Sequence, residues 1–312
     1  MNPQNNFPPL HLEYTFQAST TTVYDAWITK PVAELWLFKN ETNDLDFKTD
    51  LKVGGRFSVA EKDGEKAIDH WGEYLQIDMP HKLRFTLEVP AHFKGVSEVA
   101  IEVKETPVGT QLNFTQTGID TSKTGAAWKE MFATLDEVLK QPYLVTVQSG
   151  KEEIIPAAMV VGMQVVGLAR GLNEEAWNTI PYKGSWTPAQ LVRHLLKSVS
   201  GIGPLIEKPG KPADRDPGER ILGLKQNFLD ITKTMHSPEF IVPENKHYNK
   251  DALIKKFEAA LAPLTKLKGL NGAEIITGLP LGEVTKLEIL HFLLYHFQRH
   301  LIQMKRITEA LK

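Results

Sequence analysis

The chain has 312 residues, 42% of them hydrophobic and 24% charged, with a formal net charge of -2 and no cysteine. This globular composition and length suit two ordinary domains. The near-neutral charge gives no basic excess for nucleic acid, and the absence of cysteine excludes disulfides, thiolate metal sites and cysteine nucleophiles.

The N-terminal stretch MNPQNNFPPLHLEY has no charged segment followed by an apolar one, so no signal peptide is expected and a soluble, cytoplasmic protein is the default. From about residue 10 to 118 the sequence alternates as strands do. HLEYTFQAS reads as a first strand, and FKTDLKVGGRFSVAEKDG as two strands broken at Gly54-Gly55, with a turn at Asp63-Gly64. AIDHWGEYLQIDMP, KLRFTLEVP, VSEVAIEVKET and TQLNFTQTG continue the series as antiparallel hairpins. Helical pattern brackets them. TTTVYDAWITKPVAELW follows the first strand, with Thr20 or Thr21 as expected N-cap. In TGAAWKEMFATLDEVLKQ, after the last strand, Trp128, Met131, Phe132, Leu135, Val138 and Leu139 share one face. A curved antiparallel sheet wrapped on that helix accounts for the order and leaves a cavity between them. Trp27, Trp36, Trp71 and Trp128 are candidates to line it for an apolar small molecule, and equally candidates for ordinary core. Asp44 and Asp46 read as solvated loop residues, and His70, His81 and His92 as surface or loop residues.

The spacing of WITKPVAELW, LKVGGRF, HWGEYLQIDMPHKLRFT and GTQLNFTQTG, with the tryptophan-bearing helix, resembles the START-like, helix-grip superfamily. Within it the bacterial homologues of the heat-shock-protein-90 ATPase activator are most similar, over about residues 10 to 141. The resemblance implies an α+β domain over 1–145. It also carries a co-chaperone-like alternative, in which a heat-shock protein is the partner. One fold hosts many functions, so the likeness assigns none.

After Pro142 the periodicity turns helical. The apolar run Ile154–Ala169 is short for a bilayer and contains Pro156 and Gln164, so a buried helix is expected and no membrane span. Further helices are expected over 187–200, 224–235, 250–267 and 285–312, the last two of the four main ones following a crossover rich in proline, glycine and charge. An all-α four-helix bundle over 146–312 results. SWTPAQ and TKLE are capping boxes that fix two helix starts, at Thr187 and Thr285. His296 and His300, four apart, stack on one helix face and can converge on one metal ion. By spacing alone an ordinary polar helix face is the favoured explanation over a metal site. His291 lies about 140° away from His296 and is set aside. His236 and His247 have no visible partner. Gln298 and Arg299 fall on other faces, toward solvent or the crossover loop.

KGSWTPAQLVRHL followed by YHFQRHLIQMKRI resembles the DinB-like bundle superfamily, over about residues 150 to 312. That likeness implies a metal-binding histidine on the second helix, here His194, and an H-x-x-x-H pair on the fourth, here His296 and His300. It further implies a divalent transition metal, zinc or nickel first, and a metal-dependent transferase using a low-molecular-weight thiol. The alternative function is binding of a small hydrophobic ligand in the N-terminal cavity.

Overall fold

Alternating burial along the strands organises the first half of the chain. On β6 (Ser97–Thr106), Ser97, Val99, Ile101 and Val103 are buried while the residues between them are not, the period-two pattern of a sheet with one packed face. The structure, a computed structural model, describes residues 7–64 and 66–311. The first six residues of the stretch read for a leader lie outside the described residues. Two compact units emerge, Met1–Lys140 and Gln141–Lys312.

Among the described residues the first unit has a seven-stranded antiparallel sheet. Its strands are β1 (Leu10–Phe16), β2 (Asp44–Thr49), β3 (Arg56–Asp63), β4 (Lys66–Asp78), β5 (Lys82–Leu87), β6 and β7 (Gly109–Thr117), in the order β1-β7-β6-β5-β4-β3-β2. Strands two to seven lie beside their chain neighbours, and β1 closes the far edge with Leu10 opposite Gln116 and Phe16 opposite Thr110. Gly54 bends the chain between β2 and β3 with φ +78°, and a Cβ on Gly55 would lie 2.0 Å from the Asp50 carbonyl oxygen. Glycine is required at both positions.

Between β1 and β2 the expected helical stretch divides into α1 (Thr20–Ile28) and α2 (Lys30–Trp36), with Thr29 extended between them. Pro31 lacks an N–H, and its ring would clash with the carbonyl four residues back, so one helix cannot run through. The cap of α1 is Ser19, not Thr20 or Thr21: its hydroxyl accepts from the Thr22 N–H at 3.2 Å.

The helix α3 (Gly125–Leu144) presents its apolar stripe to the sheet, with Trp128, Phe132, Leu135 and Leu139 buried. The Trp128 ring lies 4.5 Å from Phe114 of β7 and 5.9 Å from Trp27 of α1. Gln116, itself buried, ties this contact together. Its Oε1 accepts from Trp128 Nε1 at 3.0 Å and from the Thr124 hydroxyl at 2.8 Å, while its Nε2 donates to the Ser97 hydroxyl at 3.2 Å.

The second unit is helical: α4 (Lys151–Arg170), α5 (Glu174–Trp177), α6 (Pro188–Glu207), α7 (Ile221–Leu229), α8 (Lys250–Leu261) and α9 (Lys286–Ala310). Helix α4 packs on α9, α6 on α8 and α9, and α7 on α9. Gly162 sits where α4 meets its neighbours; a Cβ there would lie 3.2 Å from both Leu261 and Phe297 side chains. Helix α4 has the length and apolarity to cross a membrane, but 72% of its apolar window is buried within the protein, as in a core helix. Two features escape periodicity. The helix expected over 224–235 lies at 221–229. A small sheet of β8 (Lys211–Pro212), β9 (Glu274–Ile276) and β10 (Val284–Thr285) pins the crossover segments.

Candidate metal centre

The two capping boxes fix the helices that carry the histidines. Thr187 Oγ1 accepts from the Gln190 N–H at 3.0 Å, and Gln190 Oε1 accepts from the Thr187 N–H at 3.0 Å. Thr285 and Glu288 repeat the exchange at 3.1 and 2.9 Å. Glu288 is fully buried and takes a two-pronged bond from Arg215 at 2.6 and 2.8 Å. Burial pulls its carboxyl upward, but the Arg215 guanidinium and the N–H groups of Thr285 and Arg220 outweigh that and hold it below the usual range. The start of α9 is therefore anchored by charge as well as by its cap.

From these starts α6 projects His194, and α9 projects His296 and His300, to one point. Their candidate ligand nitrogens all lie within 4.8 Å of one another. His296 Nε2 is 3.0 Å from His194 Nε2 and 3.1 Å from His300 Nε2. The outer nitrogens of two rings are already committed. His194 Nδ1 donates to the Ile241 carbonyl at 2.9 Å, and His300 Nδ1 donates to Gln303 Oε1 at 2.9 Å. His296 Nδ1 is buried with no partner among the described residues.

All three imidazoles are held neutral. Burial pushes His194 down to about 4 and, with the field of His194, His300 to about 3. His296 lies well below its ordinary value through burial and the fields of His300, His194 and Arg299. With Nδ1–H fixed, His194 and His300 both turn Nε2 lone pairs inward. A single proton on His296 Nε2 can serve only one of them, so a buried acceptor is left over. A cation serves all three. Tetrahedral geometry with metal–nitrogen bonds of 2.0–2.1 Å would separate ligand nitrogens by about 3.3 Å, close to the spacing present.

Aromatic rings wall the cluster. Trp186 lies 4.8 Å from the His194 ring, and Phe292 stacks on His296 at 5.3 Å. Beyond the histidines opens a cavity of about 1110 Å³ within this unit. Three groups beyond the sequence-predicted ligands stand at the site: Gln303, the Ile241 carbonyl and Arg299. Gln303, three residues after His300, could have been found by helical spacing, whereas Ile241 arrives from a distant irregular segment with no local signal. Arg299 faces the loop as expected but also lines the cavity. His236 lines the same cavity, and His247 pairs with Asn178 at 3.1 Å. His291 stays apart, bonded to Tyr295 and to the Ser149 carbonyl.

The four tryptophans of the first unit do not share one cavity. Trp27 and Trp128 line a space of about 10 Å³, enough for about one water. Trp36 is packed in the core with Nε1 donating to the Ala26 carbonyl at 3.0 Å, and Trp71 on β4 is 38% exposed. Aromatic side chains fill the hollow expected between sheet and helix. His70, expected at the surface, is buried on β4 between the Phe38 ring at 3.8 Å and the Glu61 carboxylate at 3.1 Å. Asp44 and Asp46 belong to β2, not to a loop, and Asp46 pairs with Lys30 at 2.5 Å.

Fold and cluster together define a helix-grip domain followed by a helical bundle that gathers three histidines. Residues 17–140 match the family model of activator of Hsp90 ATPase homolog 1-like proteins, and residues 161–304 that of the DinB superfamily. The chain is a two-domain protein that joins an activator-homologue-like domain to a DinB-like bundle. Among curated proteins no sequence matches it. Similar solved structures include a protein from Chromobacterium violaceum, at 19% identity over 42% of this chain and 95% of that one, TM-score 0.38. The AHSA1-like protein from Aeromonas hydrophila aligns at 22% identity over 44% of this chain and 96% of its own, TM-score 0.39.

Proposed function

We propose that the bundle holds one divalent transition metal, zinc or nickel, through Nε2 of His194, His296 and His300. On this reading the protein is a metal-dependent transferase that uses a low-molecular-weight thiol. The observation that carries it is the convergence of three buried, neutral imidazoles, two with their second nitrogen already bonded. Three protein nitrogens leave positions open for a ligand, as in catalytic rather than closed structural sites. When bound, the metal would hold a thiol as its thiolate, the nucleophilic form, at neutral pH.

The chain's own residues do the rest. The Ile241 carbonyl and Gln303 orient two imidazoles and fix their tautomers. Trp186 and Phe292 exclude water from the flanks of the cluster, and the adjoining cavity has room for a thiol and a second substrate. The test is metal analysis by mass spectrometry of untagged protein, wild type against a His194→Ala, His296→Ala double variant. About one transition metal ion per chain is expected in the wild type, and none in the variant. Protein that stays metal-free after reconstitution with zinc, nickel, manganese and iron would refute the reading.

A further inference from the structure

The cavity over the three histidines is lined by four cationic side chains, Lys197, Lys233, Arg299 and Arg306, and by no aspartate or glutamate among the described residues. Two of these charges are already answered. Lys197 Nζ lies 3.2 Å from Glu244, and Lys233 Nζ lies 3.6 Å from Asp230. The arginines differ. Arg299 is oriented by three neutral acceptors, the carbonyls of Phe228, Asp230 and Lys233 at 3.1, 2.9 and 2.5 Å, and has no carboxylate partner among the described residues. Its direction is fixed while its charge is not neutralised. Arg306 has neither hydrogen bond nor ion pair among the described residues and is exposed. Seven positions apart on α9, the two share one helix stripe about 10 Å long, beginning one residue before His300. Exposed apolar side chains complete the lining: Ile231, Met235, Phe240 and Val242 all line the cavity, and Phe240 is 63% exposed. Exposed apolar side chains gathered at one cavity mark a binding surface.

We propose that this cavity binds a molecule with an oxyanion at one end and an apolar body, the oxyanion held by Arg299 and Arg306 and the body by the 231–242 segment. The planar guanidinium fork suits carboxylate and phosphate alike. The proposal rests on the metal-centre reading only for what stands beside the oxyanion, since the arginines act with or without an ion.

The test is isothermal titration calorimetry of the full chain with three probes: octanoate, octyl phosphate and uncharged octanamide. Each is measured on metal-free and zinc-loaded protein. One lost charge-assisted bond corresponds to about tenfold or more in affinity. At least one anionic probe should therefore bind about tenfold tighter than the amide in both forms. Whichever anion wins identifies the oxyanion. The preference should shrink in Arg306→Gln, an exposed site whose change spares the fold, and in Arg299→Gln where that variant folds. Equal binding of all three probes, no binding by any, or an unchanged preference in Arg306→Gln would overturn the proposal. Failure of zinc to bind while the metal-free chain still prefers an anion would count against the metal centre alone.

Discussion

Acidification should destabilise the metal-free second unit through its buried histidines, and His194 gives the magnitude. Unfolded, this imidazole takes a proton near pH 6.5; folded, it resists until about 4, because burial outweighs the hydrogen bond to Ile241. The folded state favours the neutral ring, so the unfolded state binds more protons between these values and stability falls as pH drops through the window. The full difference is about 3 kcal/mol at the acid end, and the loss between pH 7 and pH 5 is about 2 kcal/mol. His296 and His300 act in the same direction and steepen the loss. Above about pH 7.5 the contribution is flat. The assay is urea titration at pH 7 and pH 5, followed by the Trp177 indole N–H resonance. That indole reports this unit because it is fully buried and donates to the Tyr248 carbonyl at 3.0 Å. His194→Gln, which cannot titrate, should remove about 2 kcal/mol of the pH dependence. Equal losses in wild type and variant would refute the claim that the buried neutral ring carries it.

Three further outcomes follow from particular contacts. Arg215→Ala strips the partner from a fully buried carboxylate at the start of α9 and should cost about 3 kcal/mol, read by the same titration; a loss below about 1 kcal/mol would show that the caps alone hold Glu288. Gln303→Leu removes the acceptor that orients His300 and should weaken zinc binding about tenfold or more in competition with a chelating dye, with the fold unchanged by circular dichroism. Gly162→Ala places a Cβ 3.2 Å from Leu261 and Phe297 and should cost about 1–3 kcal/mol through overpacking; a stabilised variant in urea titration would show that the α4 contact has room to give.

The sequence by itself determined whatever is written within a few turns of chain. Alternation placed the strands, and the stripe from Trp128 to Leu139 placed the face of α3. The boxes at Thr187 and Thr285 placed the starts of α6 and α9, because a cap is a contact between residues three apart. The four-residue spacing of His296 and His300 is likewise local, and a helix enforces it. Local terms also misled. Ser19, directly before Thr20 and the better capping residue, caps first, and polarity alone put His70 at the surface, although Phe38 and Glu61 give it a buried seat.

Tertiary structure decided the rest. His194 and His296 are separated by 102 positions yet meet at 3.0 Å; periodicity cannot supply that distance, because it depends on which faces α6 and α9 turn toward each other when packed. Residue volumes decided that Trp27 and Trp128 would close around about 10 Å³. The crossover loop decided the character of the other cavity. By spending backbone carbonyls, not carboxylates, on Arg299, it fixes a positive charge beside the histidines without cancelling it. A chain with a net charge of -2 thus keeps a cation-lined pocket, since overall charge is a sum over composition and a local field is set by which side chains packing brings together.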